Sequence, residues 1–470
     1  MGLKSKQQYL DSLKDGREVF WGGERIEDVS THPKFAIPLD VASVDYDYDN
    51  PDLADVLTYT TEEGARANRI FQIPRTSDDL MARVELYKHA SIISGTSGVF
   101  MALLGIEDQL RSVNPMYADN VRRIYQHARD NDLRAAELIT DAKGDRSRKA
   151  HEQDDPDLYL RIVERNDDGI VVNGAKLHIT GAAIVHELVV MPTKSMSADE
   201  ADYAVSFSVP ANTPGVKLIN RNFAPAELNE FDYPASARFS MPESFIVFDN
   251  VFVPWDRVFL AGEHELSMAF ALSLGLWERT AGLIEAMEIS EVMVGLAQLV
   301  TEQQGKGKNP AALSTIAELI CYAETIRMGM EHACTNLETT PSGMVHPNVL
   351  AVNVAKYYYA NNYHQMVKNL HDLAGGLVMT LPEEADLRSN EVGGYLRKYL
   401  HTKDDVDVEV RMRVYNLIRD LSADAYGGWQ QVVSLQAGGG LFAQRVMMNR
   451  SYDMDAAREK ALAQAGVAKT

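Results

Sequence analysis

The stretch that decides the fold is "GDRSRKAHEQDDPDLYLRIVERNDDGIVVNGAKLHITGAAIVHELVVMPT", Gly144 to Thr193. Its head is charged and irregular, and the remainder alternates apolar with polar residues around Asp168-Gly169 and Asn173-Gly174. Asp-Gly and Asn-Gly between alternating residues signal hairpins, because both supply the left-handed backbone a tight turn needs. Strands are therefore predicted in "LYLRIVE", "IVV", "LHIT" and "HELVVMPT", and further on in "YAVSFSVPA" and "SFIVFDNVFVPWDRVF", to about Leu260.

On both sides the period changes. From Ser77 to Ala136 apolar residues recur at helical spacing, with Ser77 and Asp78 suited to cap the first helix. Beyond Glu263 long helical segments return, and "HPNVLAVNVAKYYYANNYHQMVKNLHDLAGG" ends on a glycine pair suited to stop a helix. "EQQGKGKNP" reads as a helix-to-helix loop. The expected class is α+β, mainly α: a helical domain over 1–143, a β domain over 144–262 and a helical bundle over 263–470.

A chain of 470 residues exceeds the usual single domain, so several units sharing an interface are expected. Sixty-seven acidic against 46 basic residues give a charge of −21, a field that repels nucleic acid and anionic lipid. No window approaches the ~20 apolar residues that cross a bilayer, and the N-terminus lacks an apolar targeting segment. A cytoplasmic protein without nucleic-acid or membrane partners is expected. Two cysteines, Cys321 and Cys334, cannot make a disulfide framework and read as buried apolar side chains.

Six phrases carry a resemblance: "DAKGDRS", "DPDLYLRIVERNDDGIVVNGAK", "DYAVSFSVPA", "VFDNVFVPWDRVFL", "AGGLVMTLPEEAD" and "AQRVM". With the helix, β, helix layout they resemble the family that holds the oxygenase component of 4-hydroxyphenylacetate 3-monooxygenase and 4-hydroxybutyryl-CoA dehydratase, in wording closest to the dehydratase. The resemblance implies an acyl-CoA dehydrogenase-like fold whose β domain walls a flavin cleft, FAD (or FMN) as cofactor, a separate flavin reductase as partner, and a homotetramer.

The residues suit that cofactor. Lys143, Gly144, Asp145 and Arg146 form a loop with backbone N–H groups and positive charge for a phosphate, and Thr180 with Gly181 offers a hydroxyl and close approach to a flavin edge. Polar loops and turn glycines are also common structural features. By resemblance, Leu138, Ile139 and the run Gly438, Gly439, Gly440, Leu441 also contact the flavin, the run in part across a subunit boundary.

The chemistry of the relatives carries over less well. The cluster ligands of the dehydratase match Val99, Leu103, Glu278 and Glu285, which cannot hold a [4Fe-4S] cluster, so none is expected. The Arg, Tyr and His that hold a phenol in the hydroxylases match Leu103 or Leu104, Asp108 and Glu137, and two carboxylates repel a phenolate. The resemblance leaves Leu103, Asp108, Glu137, Glu278, Pro192 and Thr193 as substrate contacts, with Glu243 and Glu137 as general bases. Blander readings stand beside these: Glu243 as a solvated turn residue, Glu137 as a surface helix residue, Glu278 and Glu285 as a solvated face or an ion-paired core, His364 and His371 as bundle histidines. Three functions compete. The first is a two-component flavin monooxygenase acting on a small aromatic substrate. The others are a cluster-free flavin lyase or isomerase of acyl-CoA thioesters, and a non-catalytic scaffold.

Overall fold

The computed structural model describes residues 2–223 and 229–467. Helices lead: Ser77–His89, Val99–Gly105, Glu107–Val113 and Pro115–Asp130 form one layer. Two sheets follow, then a bundle built on the 37-residue helix Ser267–Gln303 (the long helix), Pro310–Thr335, Val349–Ala374 (the tyrosine helix), Val408–Ser422 and Ala425–Gln436 (the tryptophan helix). The layout is the predicted one, including the loop between Gln303 and Pro310 and Gly375, at φ 77°, ending the tyrosine helix. No helix among the described residues is long and apolar enough to cross a membrane.

The six-stranded sheet runs Glu24–Ile26, Glu18–Trp21, Val216–Arg221, Glu243–Pro254, Gly169–Thr180, Arg161–Arg165. The four-stranded sheet runs Val258–Ala261, Val205–Pro210, Glu187–Val190, Ala135–Leu138. Three of these ten strands come from the first 143 residues, so the leading segment is not purely helical. Ala135–Leu138 pairs in parallel with Glu187–Val190, which lies some fifty residues on. "LRAAEL" has good helix formers, and tertiary pairing overrides that local preference. The helix instead stops at Asp130, and Asp132 turns the chain with φ 49°.

Two further local readings are corrected. The first helix is capped by Thr76, not Ser77 or Asp78. The Thr76 hydroxyl accepts from Asp79 N while the Asp79 carboxylate accepts from Thr76 N, two otherwise orphaned donors satisfied together. Asn173-Gly174 makes no hairpin, because the strand Gly169–Thr180 runs straight through it. Gly174 is needed for closeness: at φ 132°, a Cβ there would stand 2.5 Å from Leu160 Cα. The Asp168-Gly169 hairpin does join Arg161–Arg165 to Gly169–Thr180.

The two layers meet through a buried ion cluster. Arg134 is fully buried; its Nη1 donates to Asp132 at 2.9 Å, its Nη2 to the Asp45 carbonyl at 3.2 Å, and its guanidinium lies 4.5 Å from the Tyr46 ring centre. Asp45 also accepts from Ser91 N and from the Ser91 and Ser94 hydroxyls. This fixes the chain just before Ala135 and so the depth at which Glu137 enters the molecule.

Candidate active site

Antiparallel register sets Thr180, the last residue of its strand, opposite Glu243, the first of the next. The Thr180 hydroxyl donates to the Glu243 carboxylate at 3.0 Å, and Trp429 Nε1, from the tryptophan helix, donates to the same oxygen at 3.1 Å. Burial pushes Glu243 above the usual carboxylate range, and the Trp429 and Thr180 hydrogen bonds offset part of that. Glu243 is therefore no solvated turn residue. Phe223 stacks on Trp429 at 5.1 Å, so an aromatic wall closes one side. Next to Thr180, Gly181 takes φ 68°, and a Cβ there would lie 2.7 Å from Ile93 Cγ2, so only glycine lets the chain turn tightly here.

Lys143 and Gly144 both adopt left-handed backbone, φ 70° and 49°. This turns the loop so that Lys143, half-buried, and Arg146, exposed, stand near one another; burial first, then the Arg146 charge, holds Lys143 below the usual lysine range. Neither cation has an ion-pair partner among the described residues. Asp145 serves the loop itself: its N–H donates to Gln153 and its carboxylate accepts from Ser147 N and Oγ.

Gly438 and Gly439 also have positive φ, 71° and 87°. Consecutive residues of the long helix grip the first: Gly438 N donates to Glu278 at 2.8 Å, and Arg279 Nε donates to the Gly438 carbonyl at 2.6 Å. A Cβ at Gly438 would meet Arg279 Cγ at 2.7 Å. Gly440 then caps the helix that opens at Leu441.

Behind this loop three helices present aligned polar stripes: Glu278 and Glu285 from the long helix, Lys356, Tyr359 and Tyr363 from the tyrosine helix, Tyr426, Gln430 and Ser434 from the tryptophan helix. These spacings of three, four and seven place each set on one helix face. Lys356 Nζ donates to the Ser434 carbonyl at 2.8 Å, and burial lowers its pKa to about 8 against the raising effect of Glu278 and Glu285. Burial raises Glu285 and Glu278, and raises Glu137 most of all, with the Glu278 charge adding to it. All three are half-buried, and burial is the first cause of each shift. They do not form a solvated face, and no three metal-binding side chains converge among the described residues.

The remaining expected site residues scatter. Leu138 and Leu103 are core residues, with Leu103 on the apolar helix Val99–Gly105 that packs against the long helix; Ser273 Oγ donates to Ala102 O there at 2.7 Å. The Ile139 carbonyl accepts from Lys176, whose ammonium pairs with Asp141 at 2.7 Å; Thr193 donates to that Asp141, and Pro192 beside it is buried. Asp108 accepts from Ser342 N on the far side of its helix and joins none of the carboxylates above. His371 bonds Ser422 and His364 is exposed, the bundle roles expected of them. Cys334 is buried, but Cys321 is exposed, contrary to expectation, because it falls on the outer face of Pro310–Thr335. Two surface hollows of about 450 and 500 Å³, beside His371 and beside Tyr59, involve none of the site residues.

Trp429, Lys356, Arg279 and Gln430 were not singled out by sequence reasoning. Lys356 carries a signal, being the lone charge in the run from Val349 to Gln365. Two family models together match nearly the whole chain: 4-hydroxyphenylacetate 3-hydroxylase N terminal over residues 5–260, and its C terminal counterpart over 268–466. The chain belongs to the 4-hydroxyphenylacetate 3-hydroxylase family. Within and around that family it is 29% identical to the 4-hydroxybutyryl-CoA dehydratase/vinylacetyl-CoA-Delta-isomerase of Clostridium aminobutyricum, over 99% of this chain and 100% of the relative. It is 29% identical to the 4-hydroxyphenylacetate 3-monooxygenase oxygenase component of Geobacillus sp. (strain PA-9), over 92% and 90%. A crystal structure of such an oxygenase component complexed with FAD superposes with a TM-score of 0.89 at 27% identity, covering 98% of both chains. The fold of this family member is thus the acyl-CoA dehydrogenase-like one expected.

Proposed function

We propose that this chain is the oxygenase component of a two-component flavin-dependent monooxygenase that hydroxylates a small aromatic substrate, with reduced FAD delivered by a separate reductase. The observation that carries the reading is the trio Thr180, Glu243 and Trp429, built where two sheet strands meet the bundle. Beside it stand an unpaired two-cation loop and two glycine positions that a Cβ would fill, Gly181 and Gly438. These features fit FAD. Lys143 and Arg146 would face its phosphates, Thr180 and Gly181 its ring edge, and the Gly438 loop would close over it.

Reduced FAD, when bound, supplies the electrons that activate dioxygen. The protein's part is to hold and shield. Glu243, raised by burial above the usual carboxylate range, is a proton source or acceptor fixed by two donors, and proton transfer by a positioned carboxyl group contributes about 10²–10⁴-fold. The Phe223–Trp429 stack and the apolar helix Val99–Gly105 exclude water.

A [4Fe-4S] cluster does not fit these residues. Val99 and Leu103 are buried hydrocarbons, Glu278 and Glu285 are hard oxygen donors, and both cysteines lie on Pro310–Thr335. No cluster-dependent dehydration is derived, and isomerisation of a CoA ester by Glu243 alone stays as the rival outcome. We further propose a cytoplasmic homotetramer, which sedimentation would test. The deciding experiment supplies the purified protein with FAD, a flavin reductase, NADH and a phenol. Hydroxylated product that requires both reductase and oxygen supports the oxygenase. Turnover of a CoA ester without either would replace it.

A further inference from the structure

The buried stripes beside the proposed flavin site carry more acceptors and negative charge than they satisfy. Three carboxylates, Glu137, Glu278 and Glu285, face two cations. One cation, Arg279, is committed to the Gly438 carbonyl and, at 3.1 Å, to Asn353; the other, Lys356, is committed to Ser434. One negative charge is left unmatched. Neither Glu137 nor Glu285 has a hydrogen-bond partner among the described residues.

Separate groups around them lack partners as well. Gln430 is 2% exposed; its Oε1 accepts no hydrogen bond among the described residues, while its Nε2 donates to Tyr359 Oη at 3.1 Å. Gln430 shares a helix face with Tyr426 and Ser434, and its bond to Tyr359 holds its amide against the tyrosine helix. The Tyr363 and Tyr426 hydroxyls, both raised first by burial and next by the Glu285 charge, also make no hydrogen bond among the described residues. A desolvated acceptor left unsatisfied costs about 1–3 kcal/mol, so a set of them in one place is stable only if something donates to it. No three metal-binding side chains converge here among the described residues. Tyrosine rings beside carboxylates favour an organic cation, through the ring faces as well as the charge.

We infer that the substrate presents a protonated nitrogen, an ammonium or substituted amine, to Glu137, Glu278 and Glu285, and that the pocket rejects carboxylates and phenolates. The inference rests on the reading of this cleft as the substrate site. Burying an anion beside an already unmatched carboxylate is opposed by Coulomb repulsion, whereas a cation completes the charge balance. The Glu278 charge raises Glu137, and an ammonium placed beside both would favour their charged forms.

Equilibrium dialysis of the protein, with and without FAD, against two probes of one ring tests this: 4-(2-aminoethyl)phenol and 4-hydroxyphenylacetate. The amine should bind at least about tenfold tighter, the scale of a charge-assisted hydrogen bond. Glu137→Gln and Glu285→Gln should each shrink that ratio, and Lys356→Met, which unmatches a second carboxylate, should widen it. Equal or tighter binding of the carboxylate, or a ratio unmoved by both glutamine variants, would overturn the inference. FAD titration in parallel separates the two readings. FAD binding without amine preference sinks only the cation pocket, and amine preference without FAD binding sinks only the oxygenase.

Discussion

Arg134 and Glu137 sit three residues apart on one short stretch, and both bring charge into the interior, yet their surroundings are opposite. Arg134 meets Asp132, the Asp45 carbonyl and the Tyr46 ring. Glu137 meets only another carboxylate, with no hydrogen bond among the described residues. A buried charge supplied with partners by its own chain holds the fold together. One left without them works against the fold and makes sense only toward a ligand.

The sharpest way to break this comparison is to remove each charge in turn. Arg134→Met leaves Asp45 and Asp132 uncompensated and should cost about 3–5 kcal/mol in urea unfolding, enough to threaten accumulation of folded protein. Glu137→Gln should be neutral or stabilising in the same measurement. Equal losses would erase the distinction.

Glu243 stands between the two extremes, buried with two donors on one oxygen. Glu243→Gln keeps the shape and removes the proton, so turnover should fall by about 10²-fold with FAD affinity nearly unchanged. Intact turnover would leave Glu243 a structural acceptor only. A smaller effect is expected where an unpaired charge is solvated: Arg146→Ala should weaken FAD binding by about 1 kcal/mol, read by flavin fluorescence titration.

The smallest effect is in pH. Glu137, Glu243, Glu278 and Glu285 all have folded pKa values raised above their unfolded ones. Between about 4.5 and those raised values the folded state therefore holds more protons than the unfolded chain, so this contribution to stability is full below about 4.5 and declines as pH rises. Thermal melts from pH 5 to 8 should show a decline that the double variant Glu137→Gln, Glu285→Gln flattens.

Much of this was legible in the sequence. Period changes near residues 136 and 262 marked the layers, the Asp168-Gly169 turn and Gly375 carried their own chemistry, and Thr180 with Glu243 was found through a resemblance that the structure turned into a contact. Ala135–Leu138 was misread because nothing local distinguishes it from a helix until Glu187–Val190 pairs with it. Asn173-Gly174 looked like a turn because the crossing of Leu160 is invisible in one dimension. Gln430 has no mark of its own in the sequence, and Lys356 stands out only as the lone charge between Val349 and Gln365; both acquire meaning where three faces converge. Asp108 illustrates the converse: the resemblance placed it among the substrate contacts, while in the structure its carboxylate accepts from Ser342 N.

The grip of Glu278 and Arg279 on Gly438 has a consequence for how such a protein can diversify. One carboxylate belongs both to the pocket that meets the substrate and to the loop proposed to cover the flavin. Residues 137, 285 and 430 can change with little disturbance to that loop, so new ring substituents can be accommodated there by drift or by an engineer's library. Position 278 lacks that freedom: a change made there for the sake of a new substrate also loosens the loop, and a library should hold it fixed.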